Sequence, residues 1–274
     1  MTFSLVACDL VRAEWGVAVA SKFLAVGALV PWVEAGIGAV ATQAMMNPSY
    51  GPDGLALLRQ GVAPDDVLAR LTAGDEGRDD RQVGIVDRSG RAASRTGARC
   101  VDWAGGRIGP GYAAQGNILV SGATVEAVAE TFIASAGAPL ARRLMRSLTA
   151  GQEAGGDRRG QQAAALIVGR AGGGYGGADI AVDLRVDDHP QPVAELEHLL
   201  ALHERYFGTT PPERWLAVDA KLGTEIRALL TRRGYATGDL AADLLAWAVV
   251  ENLEERVSGA GQIDPVVLET LRDS

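Results

Sequence analysis

The chain has 274 residues, 47% of them hydrophobic and 22% charged, enough to bury a large core and stay in solution, so disorder is not expected. A formal net charge of −8 and a pI near 5.0 argue against nucleic acid or an anionic membrane as partner, since either favours a basic face that displaces counterions. Two cysteines, Cys8 and Cys100, are too few for a disulfide scaffold or a thiolate metal site, and neither an export-signal pattern nor about 18 unbroken apolar residues is found, so a cytoplasmic setting is expected.

In chain order, FSLVACD, WGVAVAS and GIGAVATQA read as strands within the first 44 residues, with VRAE and the stretch around Pro31 as turns. SYGPDGLALLRQGVAPDDVLARLTAG changes to helical spacing and predicts two helices, the second opened by Pro64, Asp65 and Asp66. QVGIVDRSGRAASRTG reads as a hairpin turning at Ser89-Gly90, and GYAAQGNILVSG as a buried strand region. TVEAVAETFIAS and PLARRLMRSLTAGQEAG predict two more helices, followed by strands in QQAAALIVGR and DIAVDLRVDD on either side of the glycine-rich AGGGYGGA. Blocks of strands and helix pairs in this order point to an α+β fold with mainly antiparallel sheets under helical layers, rather than a doubly wound parallel sheet. After the helical VAELEHLLALHERYFG, the Pro and Gly cluster GTTPPERW reads as a linker, which predicts domains at 1–207 and 208–274, the second small and helical.

The blocks TFSLVACD, GVAVASKFLAVGALVPW, GAVATQAMMNPSYGPDGL, WAGGRIGPGYAAQGNIL, AGGDRRGQQAAALIV and AVDLRVDDHPQPVAEL resemble the bacterial and archaeal family called domain of unknown function 1028, over roughly residues 2 to 207. The resemblance implies the N-terminal nucleophile hydrolase superfamily and its four-layer αββα sandwich, hence amide-bond hydrolysis of a small-molecule or peptide-like substrate. LGTEIRALLTRRGYATGD and WAVVENLEERVSGAGQIDPVVLETLR are similar to the small helical peptidoglycan-binding-like domain that some members carry. No cofactor and no metal are implied. The expected assembly is a homo-oligomer, most simply a dimer.

Thr2 is the sharpest candidate. A threonine freed by removal of Met1 has a hydroxyl nucleophile and an α-amine base on one residue, and such an amine titrates at about 7.7 to 8.0. Carried over from the resemblance, Ser21 and Lys22 at the end of GVAVAS would orient that amine; Lys22 reads as well as a solvated turn residue. Gln43 and Asn47, amides after an apolar run, could aim donors at a developing oxyanion, while Asn47, before Pro48, also reads as a turn cap. Asn117 has the same two readings. For substrate binding, Asp157 and Arg159 follow two glycines on a loop. Arg185 and Asp187 share a strand face with Asp183, either as a carboxylate clamp or, more simply, as a buried structural ion-pair network.

Against the resemblance, Gly106 stands where many members carry His, Ala163 where a serine is often found, and Cys8 where a basic residue is common, so activity or specificity is expected to differ if those side chains serve catalysis. The alternative function is a catalytically silent binding or assembly protein on the same fold. Cys100 has no histidine nearby in sequence and reads as a small buried hydrophobe, not a nucleophile.

Overall fold

A computed structural model describes residues 2–259 and 261–273. The chain divides into two compact units, 1–199 and 200–274.

In the first unit, six strands pair antiparallel in one sheet: β1 (Thr2–Asp9), β2 (Glu14–Ser21), β7 (Gly105–Gly109), β8 (Tyr112–Asn117), β9 (Ala163–Gly169) and β10 (Ile180–Val186), in the order β10-β9-β2-β1-β8-β7. A second sheet holds β3 (Pro31–Glu34), β4 (Gly38–Ala44), β5 (Arg81–Asp87) and β6 (Ala92–Thr96) in chain order, also antiparallel. The sheets stack face to face. Helices α1 (Tyr50–Arg59) and α2 (Pro64–Ala73) cover the second sheet, and α3 (Ala123–Ala134) and α4 (Leu140–Glu153) cover the first, which completes the αββα sandwich.

This layering explains the composition of β1 and β2. Both are central strands covered on both faces, and all eight residues of each are buried, so a near-continuous apolar run replaces strict alternation. Phe3 and Leu5 point towards the helices, where Gly151 of α4 leaves space for the Phe3 ring against Val128. Val6, Cys8, Val17 and Val19 face the second sheet and meet Ala39, Ala41 and Val86. Behind that sheet, Leu55, Leu58, Val67 and Leu68 of α1 and α2 close over Val40, Val83 and Ile85.

The predicted helices and the hairpin form as expected, and Asp87 explains the hairpin turn: its carboxylate accepts from the Ser89 and Arg91 amides and the Ser89 hydroxyl. Two readings need correction. The stretch around Pro31 is a strand, because Pro31 opens an edge strand where its missing N–H is tolerated. Residues 105–109, GGRIG, form an edge strand that glycine had hidden.

In the second unit, α6 (Ala220–Arg232), α7 (Leu240–Val250) and α8 (Pro265–Asp273) pack Leu230, Leu244, Trp247, Val267 and Leu271 together beside a short ribbon of β11 (Leu216–Ala217) and β12 (Gln262–Ile263). Helix α5 (Pro192–Phe207) carries the chain from the first unit into the second. A buried Arg256–Asp264 pair at 2.7 Å, with Arg256 also donating to Thr210 and the Glu204 carbonyl, ties its loops. No helix among the described residues is long and apolar enough to cross a membrane.

Candidate functional site

Antiparallel pairing places directly opposed residues on one face of a sheet. Thr2 lies opposite Ser21 on one side and Asn117 on the other. Two residues along β1, Ser4 lies opposite Gln115. In the facing sheet Gln43, Gln82 and Thr96 make a row of their own. One end of the interior between the sheets is therefore polar, whereas Val6, Val17, Ala39 and Val86 meet at the other.

The rows interlock. The Gln82 amide oxygen accepts from the Gln43 and Asn117 side chains at 2.8 and 2.9 Å, while its nitrogen donates to Thr96 Oγ1 and to the Gly116 and Gly105 carbonyls. Ser4 donates to Gln43 Oε1 at 2.6 Å and accepts from Gln115 at 2.7 Å. Gly84, on the Gln82 strand, lets Gln115 approach, since a Cβ there would overlap the Gln115 amide. A buried amide left without partners costs about 1–3 kcal/mol, so these side chains specify one another.

Thr2, 6% exposed, sits in this layer. Its Oγ1 lies 3.1 Å from Ser21 Oγ, where either hydroxyl can donate, and its carbonyl accepts from Gln43 Nε2 at 3.3 Å. The loop after Ser21 is fixed by Asp157, buried, whose carboxylate accepts from the Lys22 amide at 2.8 Å and from the Arg159 amide at 2.8 Å. Removal of Met1, on which the Thr2 amine depends, concerns a residue outside those described.

Two cavities meet at this site. The inner chamber, about 60 Å³, has Thr2 and Gln43 in its wall, with Val26, Leu29, Val30 and Met46 around them. The outer chamber, about 330 Å³, is lined by Asn117, the strand partner of Thr2, with Ile118, Met45, Val101 and Cys100, and by Asp80, Arg99 and Arg159. Phe23 and Ala44 belong to both. Ala44 (φ 68°) and Ile118 (φ 50°) hold left-handed backbone conformations at the ends of β4 and β8, and such strain in a β-branched residue clusters at functional sites. Burial pushes the Cys100 thiol above its ordinary value, which leaves it protonated near neutrality and unsuited to nucleophilic attack.

The structure thus brings Thr2, Ser21, Gln43 and Asn117 together and adds Ser4, Gln82, Thr96 and Gln115, which the sequence did not single out. Other candidates fall elsewhere. Lys22 is exposed and donates from Nζ to the Gln161 carbonyl at 3.1 Å, so it does not supply a charge beside Thr2. Asn47 accepts from the Ser49 amide at 3.0 Å as a turn cap and lines a separate depression of about 550 Å³ between α1 and α2. Asp157 is a backbone clamp, and Gln43 has both amide hydrogens committed, to Thr2 and Gln82, so it positions Thr2 instead of facing an oxyanion. The network expected around Arg185 is not buried. Arg185 and Asp187 pair at 2.9 Å in the open on edge strand β10, and three strand spacings, about 14 Å, separate that strand from β1.

Of the departures from the resemblance, Ala163 lies opposite Ser21, and Gly106 lies opposite Gln115. Both positions therefore face the polar layer. Cys8 is at the opposite, apolar end.

Residues 2–196 match the model of the family of unknown function DUF1028. The chain belongs to this family. Residues 207–271 match a second model, described as "Putative peptidoglycan binding domain". Among solved structures, the chain is similar to the crystal structure of protein SPO2555 from Silicibacter pomeroyi, of the same family model, at 30% identity and a TM-score of 0.68, over 77% of this chain and 91% of that one. No curated protein matches.

Proposed function

We propose that this DUF1028 protein is an amide-bond hydrolase of the N-terminal nucleophile type, with Thr2 as nucleophile once Met1 is removed. The observation that carries the reading is the position of Thr2: first residue of a central strand, inside a polar layer between two antiparallel sheets, in the wall of a cavity. A threonine kept only for strand packing has no need of that surrounding.

The chemistry balances on the residue itself. Thr2 Oγ bonds to the amide carbonyl carbon as its proton passes to the α-amine. Collapse of the tetrahedral intermediate breaks the C–N bond, and the amine returns its proton to the leaving nitrogen. Water then adds to the ester, the acid leaves, and the hydroxyl is restored. Ser21 holds the Thr2 hydroxyl in place, and Gln43 fixes the carbonyl of the same residue. The α-amine serves as the base of this step without help from Lys22, which donates to the Gln161 carbonyl instead.

The test is hydrolysis of chromogenic anilides by protein whose N-terminus has been verified by mass. Wild type and Thr2→Ser are expected to turn over, and Thr2→Ala is not. Equal rates for wild type and Thr2→Ala contradict the reading. The match of residues 207–271 supports a peptide-like amide among the substrates to try.

A further inference from the structure

Resting on the hydrolase reading, we infer that the two chambers divide the substrate between them: a small, branched apolar acyl group in the inner chamber and a larger amine portion in the outer one. The assignment follows from size and lining. At roughly 10–15 Å³ per water-sized group, the inner 60 Å³ holds about four to six non-hydrogen atoms and the outer 330 Å³ about twenty or more.

The inner wall is apolar apart from Thr2 and Gln43, and Val26 and Val30 are buried in it. A charged or strongly hydrated acyl group placed there would lose water without gaining a partner. The outer chamber mixes apolar side chains with Asn117, Arg159 and the Asp80–Arg99 ion pair at 2.6 Å, which suits an amine portion carrying a hydrogen-bonding group. Met45 and Val101, 70% and 58% exposed, leave the larger portion room to extend.

Leu29 sets the inner limit. It is partly exposed, at the end of a short 3-10 turn (Val26–Ala28), so it can be shortened without opening the central core. The experiment measures two quantities across isobutyranilide, benzanilide and succinanilic acid: calorimetric affinity for Thr2→Ala protein, and hydrolysis of the matching p-nitroanilides by wild type. The isobutyryl compound is expected to exceed the benzoyl and succinyl compounds at least 10-fold in both, and Leu29→Ala is expected to raise the benzoyl-to-isobutyryl ratio about 10-fold.

The two readings fail separately. The expected affinity order without hydrolysis sinks the hydrolase reading and upholds the division of the chambers. Hydrolysis with benzoyl or succinyl preferred, or a ratio unmoved by Leu29→Ala, overturns the division and leaves Thr2 chemistry standing. Absence of both binding and hydrolysis overturns the division as well.

Discussion

The space between the two sheets has two ends built on different chemistry. At one, Val6, Val17, Ala39 and Val86 meet as in any sandwich core. At the other, on the same strands and the same faces, stand Thr2, Ser4, Ser21, Gln43 and Gln82, bonded to one another. The apolar end is held by non-directional burial, which tolerates small losses. The polar end is held by directional bonds that fail together, and a fold accepts that risk where a side chain must be placed to within a fraction of an ångström.

The largest effect that separates the ends is on activity. Thr2→Ala is expected to lower kcat by at least ~10³-fold while the melting temperature moves by less than about 2 °C, since only one hydroxyl pair is lost. Ser21→Ala is expected to lower kcat about 10- to 100-fold and leave KM nearly unchanged, as for a group that orients the nucleophile. A KM effect alone would make Ser21 a binding residue.

On stability, too, the polar end is the more sensitive. Gln82→Leu strands the Gln43 and Asn117 amides and two backbone carbonyls, and is expected to cost about 3–5 kcal/mol in denaturant unfolding. Val86→Ala at the apolar end is expected to cost about 2 kcal/mol. Equal costs would mean that the polar layer is bridged by water and less specific than its geometry.

The smallest effect is on pH dependence. Burial, then the charges of Asp87 and Asp9, raise the Cys8 thiol from 9.0 to about 11. The folded state therefore favours the neutral thiol, so its contribution is full below pH 9 and is lost as pH rises towards 11. Cys8→Ala is expected to flatten unfolding free energy against pH in that window, and an unchanged slope would contradict the assignment.

Much of this was legible in the sequence, for reasons that differ by residue. Local periodicity and turn chemistry suffice for α1 to α4 and for the Ser89-Gly90 hairpin. Pro31 misled because proline marks turns far more often than it opens an edge strand. Gln82 and Gln115 were invisible because a glutamine in a strand gains meaning only from what it faces, and that depends on register and on the stacking of two sheets. Alternation along DLRVDD correctly put Arg185 and Asp187 on one face, but position in the sheet order decides burial, and β10 is an edge. Thr2 was a candidate from the sequence alone because the chemistry proposed for it needs no partner there.

The most direct test exposes protein from its own host to a β-lactone electrophile and measures its intact mass and the mass of its N-terminal peptide. The account predicts loss of Met1 and one adduct per chain, on the peptide that begins at Thr2. Complete retention of Met1, or labelling that persists unchanged in Thr2→Ala, would contradict it.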